Sequence, residues 1–450
     1  MPLQDASTRA TLSINFLVIG AGVSGLACAV ALQRVGHRVV VLEREKKLGE
    51  SNVSRDVRLP PNLSKILYHW GLQSEVYSFA AKSKAIQISR LETGVLLGTH
   101  HWDEEVLRET RGEYLFAHLA DLRKMMYDLA VGQGATIRLD ATAVAVSPKE
   151  RTVTLSSGET LKADVIIGAD GVSGLVRPLL LAEQGIQEAL EPSLCMYTAL
   201  VPQALAVKDP QSKKFFEPED VTMFSYFGNG QSVISHPIGG LPSLSFCLYR
   251  PWDDFEDAPE EGMRNALEHV EPRLKNLGPM ISHPRRYPIF EHPALEGWVD
   301  KSSRFVVVGS AAHPIPVGST QSYAMGLEDG AVLAKLFSHL STESQISDFL
   351  YAFQDLRQPR CQTVLASETG IIQYMSMPNC PDQEKRDQGM MALAATGTNL
   401  FDVADGGEES PEWEEIKTVF GYDAEDEADN WWVSWGLLKQ RSLARSEDCC

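Results

Sequence analysis

The chain has 450 residues, of which 44% are hydrophobic and 22% are charged, so it is long enough to bury a large core in two or three domains. Its formal net charge of −19 argues against a nucleic-acid partner, because contacts with phosphates need lysine and arginine. Seven scattered cysteines lack metal-site spacing and predict a reduced, cytoplasmic compartment with no metal site. No apolar run reaches the roughly 20 residues that a membrane-spanning helix needs.

The first predicted element is a buried strand from Phe16 to Ile19 that runs into a glycine-rich turn. Gly20, Gly22 and Gly25 have the G-x-G-x-x-G spacing, and a helical pattern follows them. In such a turn the first glycine permits the tight bend, the second lets a pyrophosphate approach the backbone, and the third lets the helix pack close to the strand. The next strand ends at Glu43, whose carboxylate can accept hydrogen bonds from a ribose. The pattern predicts a dinucleotide site for NAD or FAD.

The middle of the chain shows strand patterns separated by glycine turns. A segment of alternating apolar and polar residues has a turn pair at Ser157-Gly158, which predicts a hairpin. A buried strand is predicted next, and it ends at Asp170-Gly171. Further on, apolar and polar residues alternate in three runs within residues 221–250, and Asn-Gly and Gly-Gly pairs separate these runs. These runs predict three antiparallel strands.

A further pattern, residues 304–334, predicts a second strand, a glycine turn at Gly309, a long loop and a helix. In order and spacing, it and the two earlier blocks resemble the single-component FAD-dependent aromatic hydroxylases, especially their salicylate-hydroxylase-like branch. The matching residues are Gly20, Gly22, Gly25, Glu43, Arg44, Asp170, Gly171, Arg177, Gly309, Ala311, Ala312, His313, Pro314, Glu328 and Asp329.

The resemblance implies an α/β fold with a split Rossmann-like FAD-binding domain, an inserted, mainly antiparallel β-sheet that binds the substrate, and a helical C-terminal segment. We place the FAD-binding parts at residues 14–182 and 290–370, the substrate sheet at 183–289 and the helical segment at 371–450. Residues 84–102 are expected to contribute to the substrate-binding sheet.

The resemblance also implies that one FAD is held along its length. The first block, with Glu43 and Arg44, would bind the ADP half, and Asp170-Gly171 would lie near the pyrophosphate. The third block would hold the ribityl chain and the isoalloxazine. NAD(P)H would act as co-substrate without a Rossmann domain of its own, which agrees with the single G-x-G-x-x-G motif.

Several positions depart from the family pattern. The family usually has aspartate where this chain has Ser310, and the loss of a charge-assisted bond to the ribityl chain predicts an affinity lower by about 1 kcal/mol. Arginine is usual where Leu119 stands, and Arg123, one helical turn later, is the predicted substitute. Serine is usual where Gly174 stands. The backbone N–H groups of Gln321-Ser322, where Gln-Gly is usual, would face the flavin pyrimidine edge.

The substrate would lie between the flavin and the predicted antiparallel sheet. His236 is the first candidate, and Tyr226 the second, for orienting or deprotonating a phenolic substrate; a packed histidine is the alternative for His236. The carbonyl of Pro316 would face the reactive flavin position; the other interpretation is a rigid loop corner, and both can hold at the same time. Four arginines are candidates for binding a substrate carboxylate: Arg58, Arg250, Arg285 and Arg286.

The implied activity is an FAD-dependent monooxygenase that uses NAD(P)H and O2 to hydroxylate a small aromatic substrate, phenolic or carboxylated, through a flavin C4a-hydroperoxide. Epoxidation and decarboxylative hydroxylation also fit the resemblance. Two alternatives stay open. One is a flavin-dependent oxidase or dehydrogenase, and the other is a non-catalytic protein that has lost its flavin, for which Ser310, Leu119, Gly174 and Ser322 argue.

Overall fold

The computed structural model describes residues 9–48, 55–102, 110–218, 222–253, 258–397, 399–400 and 411–438. Its strands, in chain order, are β1 (Asn15–Ile19), β2 (Arg38–Leu42), β3 (Asp56–Leu59), β4 (Ala81–Lys82), β5 (Ala85–Arg90), β6 (Leu96–His101), β7 (Leu115–His118), β8 (Thr136–Arg138), β9 (Ala143–Ser147), β10 (Thr152–Leu155), β11 (Thr160–Lys162), β12 (Val165–Gly168), β13 (Pro192–Pro202), β14 (Thr222–Phe227), β15 (Ser232–Ile238), β16 (Ser243–Pro251), β17 (Arg285–Phe290) and β18 (Phe305–Val307).

The described α-helices, in chain order, are α1 (Val23–Arg34), α2 (Pro61–His69), α3 (Gln73–Phe79), α4 (Leu119–Gly132), α5 (Val176–Gln184), α6 (Gln203–Ala206), α7 (Pro259–Ala266), α8 (Pro272–Lys275), α9 (Ala324–Phe337), α10 (Gln345–Met375), α11 (Pro381–Ala395), α12 (Pro411–Phe420) and α13 (Ala424–Trp431). Short 3-10 turns cover Ser212–Phe216, Gly278–Met280 and Gly309–Ala311, and a π-helical turn covers Trp432–Gly436. None of the described helices is both long and apolar enough to span a bilayer.

The first layer is a five-stranded parallel sheet with the order β18-β12-β1-β2-β8. Its central strands are continuous apolar runs because helices cover both faces of such a sheet. Helices α1 and α9 pack against each other so closely that a side chain at Gly330 would meet the backbone of Ala27 and Cys28 within 3 Å. Because β1, β12 and β18 pair in parallel, their carboxyl ends lie together at one edge of the sheet, and this is the edge where parallel sheets bind ligands.

The second large sheet has seven strands in the order β17-β13-β16-β15-β14-β5-β6. The three strands predicted within residues 221–250 are present as β14, β15 and β16, and they pair antiparallel as expected. Strands β5 and β6, from residues 84–102, join this sheet through a parallel pairing of β5 with β14. The hairpin predicted at Ser157-Gly158 is confirmed as β10 and β11.

Helices cross two of the predicted domain boundaries. The boundary at residue 182 falls inside α5, and the boundary at residue 370 falls inside α10, which has 31 residues and contains Pro359. The N-terminal half of α10 packs against α9 beside the parallel sheet, and its C-terminal half reaches the seven-stranded sheet. The two sheets are therefore joined by a shared helix at this position.

Candidate active site

A cavity of about 440 Å³ opens at the carboxyl edge of the parallel sheet, and we call it the first cavity. It is bounded by the turn after β1, the end of β2, the turn after β12 and the turn after β18. Of the predicted cofactor residues it is lined by Gly20, Gly22, Glu43, Arg44, Arg123, Asp170, Gly171, Ser310 and Ser322. The structure therefore brings together residues from all three sequence blocks.

The three glycines of the first turn have three different geometries. Gly20 has φ +103°, and a Cβ there would lie 2.6 Å from the carbonyl oxygen of Ala169. A Cβ on Gly25 would lie 2.0 Å from the carbonyl oxygen of Gly20, so the helix approaches the turn as closely as glycine allows. A Cβ on Gly22, by contrast, would meet nothing within 4 Å. Open space at the start of α1, which has no side-chain cap and no acid in its first turn, fits a pyrophosphate.

Glu43 and Arg123 form one hydrogen-bonded group in this cavity. The Oε2 of Glu43 accepts from the Ala21 N–H at 2.8 Å and from Arg123 Nη2 at 3.2 Å. Arg123 also donates from Nε to the Ala21 carbonyl at 2.9 Å and from Nη1 to Glu45 at 2.9 Å. Arg123 thus reaches the first cavity one turn after Leu119, which also lines it.

Asp170 presents a carboxylate oxygen that has no partner. Its Oδ2 accepts from the Leu175 N–H at 2.6 Å, whereas its buried Oδ1 has no hydrogen-bond partner among the described residues. Burial raises the pKa of Asp170, although backbone N–H donors oppose the rise. A Cβ at Gly174 would lie 2.2 Å from the Asp170 Cγ, so glycine leaves room for this carboxylate. The unpartnered oxygen fits a donor group on a bound cofactor.

A second cavity of about 510 Å³ lies between the seven-stranded sheet and the C-terminal half of α10. Its wall is mainly apolar and aromatic, and Trp102 stacks on Tyr114 with 5.4 Å between the ring centroids. Thr320 lines this cavity, while Ser322, two residues later, lines the first one. One loop therefore bounds both cavities.

Comparison with known proteins shows the family of the chain. The FAD-dependent monooxygenase OpS4 of Beauveria bassiana (strain ARSEF 2860) is 26% identical over 388 residues, which cover 84% of this chain and 89% of that protein. The 6-hydroxynicotinate 3-monooxygenase of Pseudomonas fluorescens is 25% identical over 347 residues, covering 74% and 84%. Salicylate hydroxylase in a substrate complex shares the fold, with a TM-score of 0.71 at 19% identity over 93% of this chain and 97% of that one. Residues 13–368 match the family model for an FAD binding domain.

The chain belongs to the FAD-dependent aromatic hydroxylases.

This hydroxylase-family member is an oxidoreductase. The lining of the first cavity fits an FAD. The N–H groups at the start of α1 and the Glu43–Arg123 group would hold the ADP half, and the Asp170 oxygen and Ser310 would meet the rest of the cofactor. Gly25 and Gly309 shape the turns without lining the cavity. Gly309 has φ +60° and donates its N–H to Asp329 at 2.7 Å.

The loop after His313 differs from the expectation at Gln321. Gln321 is fully buried, and its N–H donates to Glu368 Oε1 at 2.9 Å, so it does not face the cofactor. The Pro316 carbonyl accepts from both the N–H and the hydroxyl of Ser319, at 3.2 and 2.7 Å. It therefore closes a turn, which agrees with the rigid-corner interpretation, while a carbonyl directed at the flavin stays a prediction. Ser322 does line the first cavity.

Neither residue proposed to deprotonate the substrate lines the second cavity. Met223, Ser225 and Phe227 of β14 line it, and because side chains alternate along a strand, Tyr226 points to the other face. There Tyr226 is fully buried and donates to Glu271 at 2.9 Å. This placement corrects the Tyr226 assignment.

His236 is also enclosed by protein. Ile234, two residues earlier on β15, lines the second cavity, but the His236 ring is covered by the Phe116 ring at 4.0 Å. Its Nε2 lies 3.1 Å from Asp56 Oδ2, and its side chain is 1% exposed. The packed-histidine interpretation is the one that fits, because the ring is buried against Phe116 and held by Asp56.

Among the four candidate arginines, only Arg58 lines the second cavity. Arg250 and Arg286 both pair with Asp253, and Arg285 is an exposed residue of β17. The sequence did not identify the α10 and α12 residues that complete the wall, because nothing local marks a helix end as a neighbour of a distant sheet. Those residues include Glu368, Ile371, Tyr374, Met375, Ile416 and Phe420.

Replacing Ser310 by aspartate is expected to strengthen FAD binding by about 1 kcal/mol, close to fivefold, because a charge-assisted bond would replace a neutral one. The side chain of Ser310 is exposed to the first cavity, so the carboxylate has room. Calorimetric titration of apoprotein with FAD measures the change, and Ser310→Ala is the matched control that should weaken binding. Equal affinity of the aspartate and alanine variants would show that this position does not contact the cofactor.

Proposed function

We propose that this protein is a monooxygenase that uses NAD(P)H and O2 to hydroxylate a small aromatic substrate. The observation that supports this proposal best is the second cavity, whose aromatic and apolar wall adjoins the loop that also bounds the FAD cavity. Its volume of about 510 Å³ suits a small ligand. The relative named 6-hydroxynicotinate 3-monooxygenase supports an aromatic substrate class.

The chain's own residues would position the substrate and exclude water. When bound, FAD reduced by NAD(P)H would supply the oxygen-transfer chemistry. Met223, Phe227 and Ile234 form an apolar floor on the sheet, and the stacked Trp102–Tyr114 pair offers a flat aromatic surface. Such a wall holds a planar ring and keeps water from the reacting atoms.

Tyr114 and Thr320 are the polar groups best placed to hold a substrate hydroxyl. The Tyr114 hydroxyl lies 3.2 Å from Thr320 Oγ1, and both residues line the second cavity. Burial raises the pKa of Tyr114, so its hydroxyl stays protonated near neutral pH and can donate. The pair would orient a phenolic group, a role first assigned to His236.

Spectroscopy and turnover of the purified protein test the proposal. The protein should carry or take up FAD and show a flavin absorbance spectrum, and aromatic substrates should stimulate its NAD(P)H oxidation. With isotopically labelled O2, the label should enter the product. A colourless protein that refuses FAD would favour the non-catalytic alternative. Flavin reduction without label in any product would favour an oxidase or dehydrogenase.

A further inference from the structure

Arg58 is a buried cation that lines an apolar cavity. It lies on β3, its side chain is 5% exposed, and it contributes to the wall of the second cavity. The one hydrogen bond found for its guanidinium within the described chain runs from Nη1 to Thr320 Oγ1 at 3.5 Å, a long contact with a neutral group. A guanidinium has five N–H donors, so most of its bonding capacity is unused.

The two acids near Arg58 are engaged elsewhere. Asp56 holds His236 at 3.1 Å. Glu368 accepts from the N–H groups of Thr320 at 3.1 Å and Gln321 at 2.9 Å, so both its oxygens hold the loop between the cavities. No carboxylate of the described segments comes within the 4 Å that would make an ion pair with Arg58.

A buried cation without an ion pair is energetically unfavourable, because burial removes the hydration of the charge and the attraction of Asp56 and Glu368 acts over more than the 4 Å of an ion pair. Its position in a ligand cavity indicates that the counter-ion arrives with the ligand. The pyrophosphate of FAD does not fill this role, since the residues that fit it line the first cavity and Arg58 does not.

We infer that Arg58 binds an anionic oxygen group of the aromatic substrate, a carboxylate or a phenolate, and so selects anionic over neutral aromatic molecules. This inference rests on the proposed function. The planar fork of the guanidinium matches a carboxylate with two parallel hydrogen bonds, and a phenolate oxygen would accept one of them. The substrate ring would then lie against Trp102 and Tyr114, on the wall that Arg58 shares.

Paired ligands of the same shape test this selectivity on the FAD-saturated protein. Benzoate against benzamide tests a carboxylate, and 4-nitrophenolate against nitrobenzene tests a phenolate, each by calorimetric titration. We expect the anionic member of at least one pair to bind about 10- to 100-fold tighter. The preferred pair identifies the anionic group. Equal affinities within both pairs, or no binding of any of the four ligands, would overturn the inference.

Variants assign the selectivity to Arg58. Arg58→Met should remove the preference, Arg58→Lys should retain part of it, and Arg285→Met, at an exposed arginine outside the cavity, should leave it unchanged. Because Arg58→Met removes an unpaired buried charge, its ligand-free melting temperature should equal or exceed that of the native protein. An unchanged preference in Arg58→Met would contradict the assignment, as would a preference that Arg285→Met also abolishes.

The titrations need no turnover, so they can fail separately from the proposed function. A protein that hydroxylates neutral and anionic aromatic substrates equally well would keep the monooxygenase proposal and remove the role of Arg58. A protein that binds anions through Arg58 but transfers no oxygen would keep the role of Arg58 and remove the monooxygenase proposal.

Discussion

Replacing Gly22 by valine is expected to abolish FAD binding while leaving the fold intact. A Cβ at this position would meet no protein atom within 4 Å, and the backbone, at φ −70° and ψ 177°, is one that valine adopts without strain. The added side chain would instead occupy the space where the pyrophosphate approaches the start of α1. We expect FAD affinity to fall at least 100-fold and the melting temperature of the apoprotein to stay within a few degrees.

Two other glycines serve as controls for this variant. Gly25→Ala should damage the fold itself, because its Cβ would lie 2.0 Å from the Gly20 carbonyl oxygen. Gly389→Val should affect neither property by much, since Gly389 is exposed on α11 and a Cβ there also meets nothing within 4 Å. Flavin uptake by the Gly22 variant at native affinity would show that the dinucleotide does not cross this turn.

The cofactor side of the site is predictable from sequence because its signals are local. A strand, three spaced glycines and an acid at the end of the next strand each report on residues close in the chain, and the structure places Gly20, Gly22 and Glu43 at one cavity. The parallel sheet then brings the other two blocks to the same edge, since parallel strands present their carboxyl ends together.

The substrate side of the site is less predictable, because a change of one position along a strand moves a side chain to the opposite face of the sheet. Tyr226 and Phe227 are neighbours on β14, but Phe227 lies in the cavity wall and Tyr226 in the core on the opposite face. His236 lies on the same face as Ile234, but Phe116 from β7 covers it. Neither result can be read from the strand alone. The pairing of a distant strand, or the end of a long helix, determines which side chains remain accessible.

Loss of Arg357 is expected to destabilise the protein by about 3–5 kcal/mol, because it would remove a shared counter-ion from two buried acids and leave Glu328 with Arg360 and Asp329 with His313. Its guanidinium lies 2.6 Å from Glu328 and 2.8 Å from Asp329, and all three side chains are fully buried. Asp329 in turn holds His313 at 2.6 Å and the Gly309 N–H at 2.7 Å. Arg357→Leu should therefore also loosen the turn beside Ser310 and weaken FAD binding. Urea unfolding and FAD titration measure the two effects.

The pH dependence distinguishes a lost ion pair from a general packing defect. Burial alone would raise the pKa of Asp329, but His313 and Arg357 outweigh it and lower that pKa from 3.8 to about 2. The stabilisation from this carboxylate is therefore complete above about pH 4 and is lost as the pH falls towards 2. The deficit of Arg357→Leu should accordingly be largest at neutral pH and shrink below about pH 4. An exposed pair provides the control, since Arg138→Leu, which removes the partner of Glu159, should change the stability little at any pH. A deficit that stays constant from pH 7 to pH 3 would mean that packing, and not charge, is what Arg357 contributes.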